Sequence, residues 1–207
     1  MPAGILITLE GIDGAGKSTL ARGIRAALSG RGLNVELLRE PGGVAAAERI
    51  RELVHDPAQR IGARAEALLY AAARAQLVEE RLGPLLKEGA LVLLDRFVDS
   101  SLVYQGAGRE LGIDPVRAIN AFATAGVTPD RTLLLDLAPA LARERSGARG
   151  AVLDRIELED EDFFERTAAA YRALAAADPE RIRILDATLA PEQLLAEALR
   201  AIGDLVG

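Results

Sequence analysis

Residues 11–19 read GIDGAGKST, with Gly11, Gly16, Lys17 and Ser18 at the spacing of a loop that grips phosphate. Glycines let successive backbone N–H groups converge on a polyphosphate, a lysine reaches the terminal phosphates, and the Ser18 hydroxyl can ligate Mg2+. Lys17 and Lys87 are the only lysines among 25 basic residues, so a lysine inside this loop stands against a strong bias toward arginine. In LVLLDRFVDSSLVYQG, Asp95 and Arg96 directly follow an apolar run. A carboxylate there can hold Mg2+ or its water while the arginine meets phosphate oxygens, although an Asp in that place also caps helices.

Weaker signals surround these two. REPGG (39–43) couples a charged pair to a tight turn, and ERIREL offers Arg51 a little further on. In LLYAAARAQ, Tyr70 and Arg74 stand four apart and so share a helix face. A ring beside a guanidinium suits a base stacked on one side and hydrogen-bonded at its edge, but an aromatic on an alanine-rich helix equally fits a core. His55, the single histidine, precedes DPAQ and reads as a surface loop residue. APALARERSGARG (138–150) holds Arg143, Arg145 and Arg149 with two glycines, the composition of a mobile flap.

These residues need a scaffold. ILITLE, NVELL, LVLLD, RTLLLDL and RIRILDA read as five buried strands, separated by segments of helical apolar spacing. That alternation predicts an α/β fold with a five-stranded parallel sheet and helices on both faces, ligands gathering at the carboxyl ends of the strands. The segment from Ile61 to Glu88 reads as one long helix, with Pro84 expected to kink or shorten it. LEDEDFFER reads as a solvated acidic helix face supporting a first turn.

Composition narrows the partners. The 207 residues, 50% hydrophobic and 27% charged, fit one globular domain over 1–207. Without cysteine there is no disulfide framework or thiolate zinc site, which fits a reducing cytoplasm. MPAGILITLE carries no basic leader, and no apolar run approaches the ~20 residues that span a bilayer, so no membrane association is expected. A net charge of −6 argues against broad gripping of nucleic acid. A regulatory GTPase would need an Asn-Lys-x-Asp base reader, and neither lysine stands in one.

Taken in order, EGIDGAGKSTL, REPGG, LLYAAARAQ, DRFVDSSLVYQG and LDRIELEDEDFFER resemble the bacterial thymidylate kinase family across nearly the whole chain. The resemblance implies the P-loop NTPase fold with a short arginine-rich lid near 138–150. It also implies transfer of the γ-phosphoryl of ATP to dTMP with Mg2+, by a homodimer. Gly11, Ile12, Asp13, Gly14, Ala15, Gly16, Lys17, Ser18 and Thr19 would hold ATP, helped by Arg143 and Arg145, with Ser18 and Asp95 at the metal. Asp13 would meet the dTMP 3′-hydroxyl, Tyr70 would stack on thymine and Arg74 would contact the base edge. Arg39, Arg51 and Arg96 would hold the acceptor phosphate, and Ser100, Ser101 and Tyr104 would shape the sugar and base pocket. Because Gly14 occupies the loop position where some members carry arginine, Arg149 is the leading lid arginine, with Arg143, Arg145 and Arg155 in support. Two departures are Val44, where threonine is common, and Tyr70 in place of phenylalanine, whose hydroxyl needs a partner. A deoxynucleoside kinase and a non-catalytic ATP-binding module are the rival readings; several arginines aimed at the acceptor favour a monophosphate.

Overall fold

The computed structural model describes residues 4–147 and 154–207. Five strands, β1 (Ile5–Glu10), β2 (Val35–Arg39), β3 (Leu91–Asp95), β4 (Arg131–Asp136) and β5 (Ile182–Asp186), pair in parallel in the order β2-β3-β1-β4-β5. The helices are α1 (Lys17–Ser29), α2 (Ala45–His55), α3 (Ala63–Leu77), α4 (Gly83–Lys87), α5 (Val98–Ser101), α6 (Ile113–Thr124), α7 (Pro139–Gly147), α8 (Glu161–Ala177), α9 (Pro191–Ala201) and α10 (Gly203–Val206).

Period-2 alternation divides the strand side chains between two cores. Leu91 and Leu93 join Ile7, Leu9 and Leu133 against residues of α1, α8 and α9. Val92 and Leu94 join Leu6 and Leu38 against α2 and α3. The central runs β1, β3 and β4 are thus strands covered on both faces, as the lack of polar alternation in LVLLD predicts, whereas the edge strands β2 and β5 leave part of one face exposed. Register brings the chemistry to one edge: Arg39 and Leu9 both lie opposite Asp95, the last residue of β3.

Two helical segments depart from regular α geometry. The long helix expected over 61–88 runs from Ala63 to Lys87, but Val78–Leu82 forms a π-turn in which the Gly83 N–H bonds back to the Val78 carbonyl. Pro84 explains it, because its ring clashes with the carbonyl four residues earlier and the wider turn relieves the contact. A second π segment, Leu102–Gly108, continues α5 and carries Tyr104 and Gln105 into the site. In the acidic run, Asp160 caps α8 by accepting from Phe163 N at 2.8 Å. Among the described residues no helix is long and apolar enough to cross a membrane.

Candidate active site

The loop between β1 and α1 turns on three glycines in the left-handed region: Gly11 (φ +136°), Gly14 (+87°) and Gly16 (+97°). Gly11 also needs its missing side chain, since a Cβ there would lie 2.6 Å from the Leu135 carbonyl oxygen at the end of β4. Ile12 and Ala15 turn their side chains into the core, so any contact they make with a nucleotide is through the backbone. Lys17 folds back over the loop, its Nζ donating to the carbonyls of Gly11 (2.9 Å) and Ile12 (3.0 Å). Burial and the neighbouring Arg96 lower its ammonium to about 8 despite the pull of Asp13 and Asp95. Thr19 is exposed at the cavity rim.

Beside the loop, Ser18 Oγ donates to Asp95 Oδ2 at 2.7 Å. Arg96 follows with φ +70°, a strained conformation for a non-glycine residue. Its guanidinium donates to Asp13 Oδ1 (2.8 Å), Ser100 Oγ (3.0 Å) and Tyr104 Oη (3.2 Å), and lies 4.9 Å from the Tyr104 ring centroid. Burial opposes ionisation of Asp13, but Arg96 and Lys17 outweigh it and hold its carboxyl well below the usual carboxylate range.

Glu10, which the sequence reading passed over, holds this turn from below. Its Oε1 accepts from Phe97 N (2.7 Å), and its Oε2 accepts from Ser100 Oγ (2.6 Å) and Tyr171 Oη (2.8 Å). Burial, reinforced by Asp99, pushes the Glu10 carboxyl upward against those hydrogen bonds. Its position directly before the glycine loop was the signal that could have found it.

Asp13, Lys17, Ser18, Asp95, Arg96, Ser100 and Tyr104 line one cavity of about 500 Å3, open between the loop and helices α2 and α3. On its far wall stand Arg39, Arg51, Tyr70, Arg74, Ser101 and Gln105. Arg39 is half-exposed, held by Glu48 at 2.8 Å and by the Pro41 carbonyl; Arg51 donates to the same carbonyl at 3.1 Å. Val44 heads α2 without a capping side chain, and Glu48 takes over by accepting the Gly43 N–H at 2.7 Å.

Three expectations need correction. Arg74 does not present a free donor to a base edge. It is buried, and its N–H groups engage Glu40, Ser101 Oγ, Asn120 Oδ1 and the Phe97 carbonyl, so it braces the wall that a base would meet. Arg155 is not a lid arginine in reserve, because its Nε donates to the Val54 carbonyl (2.9 Å) and its guanidinium pairs with buried Glu66 at 2.7 Å. His55 is not a surface loop residue. It ends α2 facing the cavity, between Tyr70 Oη at 3.4 Å and Asp154 Oδ2 at 2.9 Å, and so partners the hydroxyl that Tyr70 adds.

The described part of the arginine-rich segment, 138–147, carries helix α7, seated on the phosphate loop. Arg145 lines the cavity and donates to the Ala187 carbonyl at 2.8 Å, whereas Arg143 is exposed outside the cavity wall. Arg149 lies outside the described residues.

The glycine loop with Lys17, the Arg96 guanidinium and the wall that carries Arg51 and Tyr70 thus share one cavity. Fold and site together define a P-loop kinase, a protein that passes phosphoryl groups between bound nucleotides. A family model described as thymidylate kinase matches residues 9–198. The thymidylate kinase of Deinococcus radiodurans is 47% identical over 99% of this chain and 98% of its own. That of Rhizorhabdus wittichii is 46% identical over 98% and 99%. The crystal structure of the Ehrlichia chaffeensis thymidylate kinase superposes with a TM-score of 0.80 at 26% identity, covering 98% of this chain and all of that one. The chain belongs to the thymidylate kinase family.

Proposed function

We propose the following division of labour for ATP-dependent phosphorylation of dTMP to dTDP, the activity of this thymidylate kinase. The observation that carries it is the Arg96 guanidinium, which joins the loop residue Asp13 to the pocket residues Ser100 and Tyr104 and so sits where donor and acceptor must meet. The backbone N–H groups of residues 11–19 and the N-terminus of α1 cradle the ATP phosphates. Lys17 exchanges its two loop carbonyls for phosphate oxygens when ATP enters.

On the acceptor side, Tyr70 stacks on the base against the wall braced by Arg74, Tyr104 and Ser101 bound the sugar, and Asp13 takes its 3′-hydroxyl. Arg51 and Arg96 hold the dTMP phosphate, with Arg39 at the rim. An oxygen of that phosphate attacks the γ-phosphorus in line, the bond to the β-bridging oxygen breaks, and ADP leaves. The attacking oxygen is already ionised, so no general base is needed and the work is positioning and charge stabilisation. Arg149, carried by the lid with Arg143 and Arg145 on α7, meets the charge on the transferring group as the lid closes, which also excludes water.

The donor set fits Mg2+: a hydroxyl and a carboxylate, both hard oxygen ligands, lie 2.7 Å apart beside the phosphate loop. Bound there by Ser18 and Asp95 together with phosphate oxygens and water, the ion would neutralise phosphate charge. A second copy completes the molecule, covering Phe122 of α6 (90% exposed) and Leu68 of the neighbouring α3 (57% exposed). The whole chain works as one domain in the cytoplasm. An ADP-release assay with ATP, Mg2+ and dTMP tests this reading; ATP turnover that does not depend on dTMP overturns it.

A further inference from the structure

The hydroxyl of Tyr70 has a dedicated partner. His55 Nε2 lies 3.4 Å from Tyr70 Oη, and His55 Nδ1 lies 2.9 Å from Asp154 Oδ2. In a neutral imidazole whose Nδ1–H donates to the carboxylate, the Nε2 lone pair is left to accept the Tyr70 proton. Asp154 cannot turn away, because its Oδ1 already accepts from the N–H groups of Ile156 and Glu157, each at 2.9 Å. The backbone of His55 is held too, since its carbonyl accepts from Arg155 N at 3.1 Å and the preceding Val54 carbonyl accepts from Arg155 Nε at 2.9 Å.

The segment after the lid is therefore fastened to the end of α2, and through the imidazole to the ring expected to stack on the base. All three side chains line the cavity.

We propose that His55 is a specificity-determining positioning residue of the acceptor site: it draws the Tyr70 hydroxyl toward Asp154, sets the plane of the ring for stacking and keeps the hydroxyl out of the volume the base occupies. This deepens the thymidylate kinase reading and rests on it. The pairing converts a position where the hydroxyl would otherwise be an unpaired polar group in an apolar stacking surface into one where it is satisfied. It follows that His55 is needed only because residue 70 is tyrosine.

That dependence gives a test that a merely structural histidine fails. In His55→Leu the hydroxyl loses its acceptor, and KM for dTMP rises about five- to tenfold, more than kcat falls, while KM for ATP stays within about twofold. Tyr70→Phe introduced into His55→Leu removes the orphaned hydroxyl and returns KM for dTMP to within about twofold of Tyr70→Phe alone, so the two substitutions do not multiply. His55→Ala carries the same cycle where His55→Leu does not fold. Multiplying effects overturn the proposal, as does an unchanged KM in both His55 variants, or failure of both to fold. Absence of dTMP turnover in the unmodified protein would instead overturn the kinase reading itself.

Discussion

A Cβ atom on Gly14 would clash with the carbonyl oxygen of Ala142, so the missing side chain of Gly14 leaves room for α7 against the phosphate loop. Ser146 Oγ, one turn further along α7, would lie 2.8 Å away. In this chain α7 occupies the space that a side chain at residue 14 would need.

Gly14→Ala should therefore act through α7. The substitution strains a backbone at φ +87° and pushes against the backbone of α7. We expect kcat to fall at least about tenfold, some 1.4 kcal/mol, with earlier proteolytic cleavage within α7. Near wild-type turnover would show that α7 leaves the loop before transfer.

Arg149→Ala should lower kcat by at least about tenfold while dTMP affinity stays nearly constant, because a lid arginine meets the transferring group more strongly than the bound substrate. Arg155→Ala behaves differently. Without its bonds to Glu66 and Val54, the protein loses stability before it loses chemistry, which urea denaturation beside turnover separates.

Lys17→Ala should cost about 10²–10³ in kcat, the usual loss when one preorganised donor to developing charge is removed. The fold gives up the lysine's two bonds to the loop carbonyls and its attraction to Asp13 and Asp95. The melting temperature should shift by no more than a few degrees, and a large fall would mean that Lys17 holds the loop together rather than serving ATP.

Arg74→Ala should destabilise by about 3–5 kcal/mol, because it leaves Glu40 buried without its counter-charge. Paired with Glu40→Gln, the loss should shrink. Denaturant midpoints of the two variants decide between a bracing role and a purely base-reading one, in which stability would hold and only discrimination of dTMP from dCMP would suffer.

Phe122→Asp should shift a dimer toward monomer in sedimentation, since it places a charge at the most exposed large apolar side chain among the described residues. A protein monomeric before the substitution would remove the second copy from the proposal.

Much of this was legible in the residues. The strands fall within a residue or two of the apolar runs, most plainly at β1, β3 and β4, which are buried on both faces and leave no polar alternation to blur them. Gly11, Gly16, Lys17 and Ser18 were readable because a phosphate cradle is made by consecutive residues, whose backbone geometry is local. What the sequence by itself determined is therefore the sheet, the loop and the family of five motifs in order. Tertiary structure decided who pairs with whom. Arg74 looked free because Glu40, Ser101 and Asn120 come from three other parts of the chain. His55 looked like a loop residue because Tyr70 and Asp154 reach it only when α2, α3 and the end of the lid segment pack together. Side-chain partners at long sequence separation are set by burial and by the cost of leaving a buried charge or hydroxyl unpaired, and that cost acts only once the chain has closed around them.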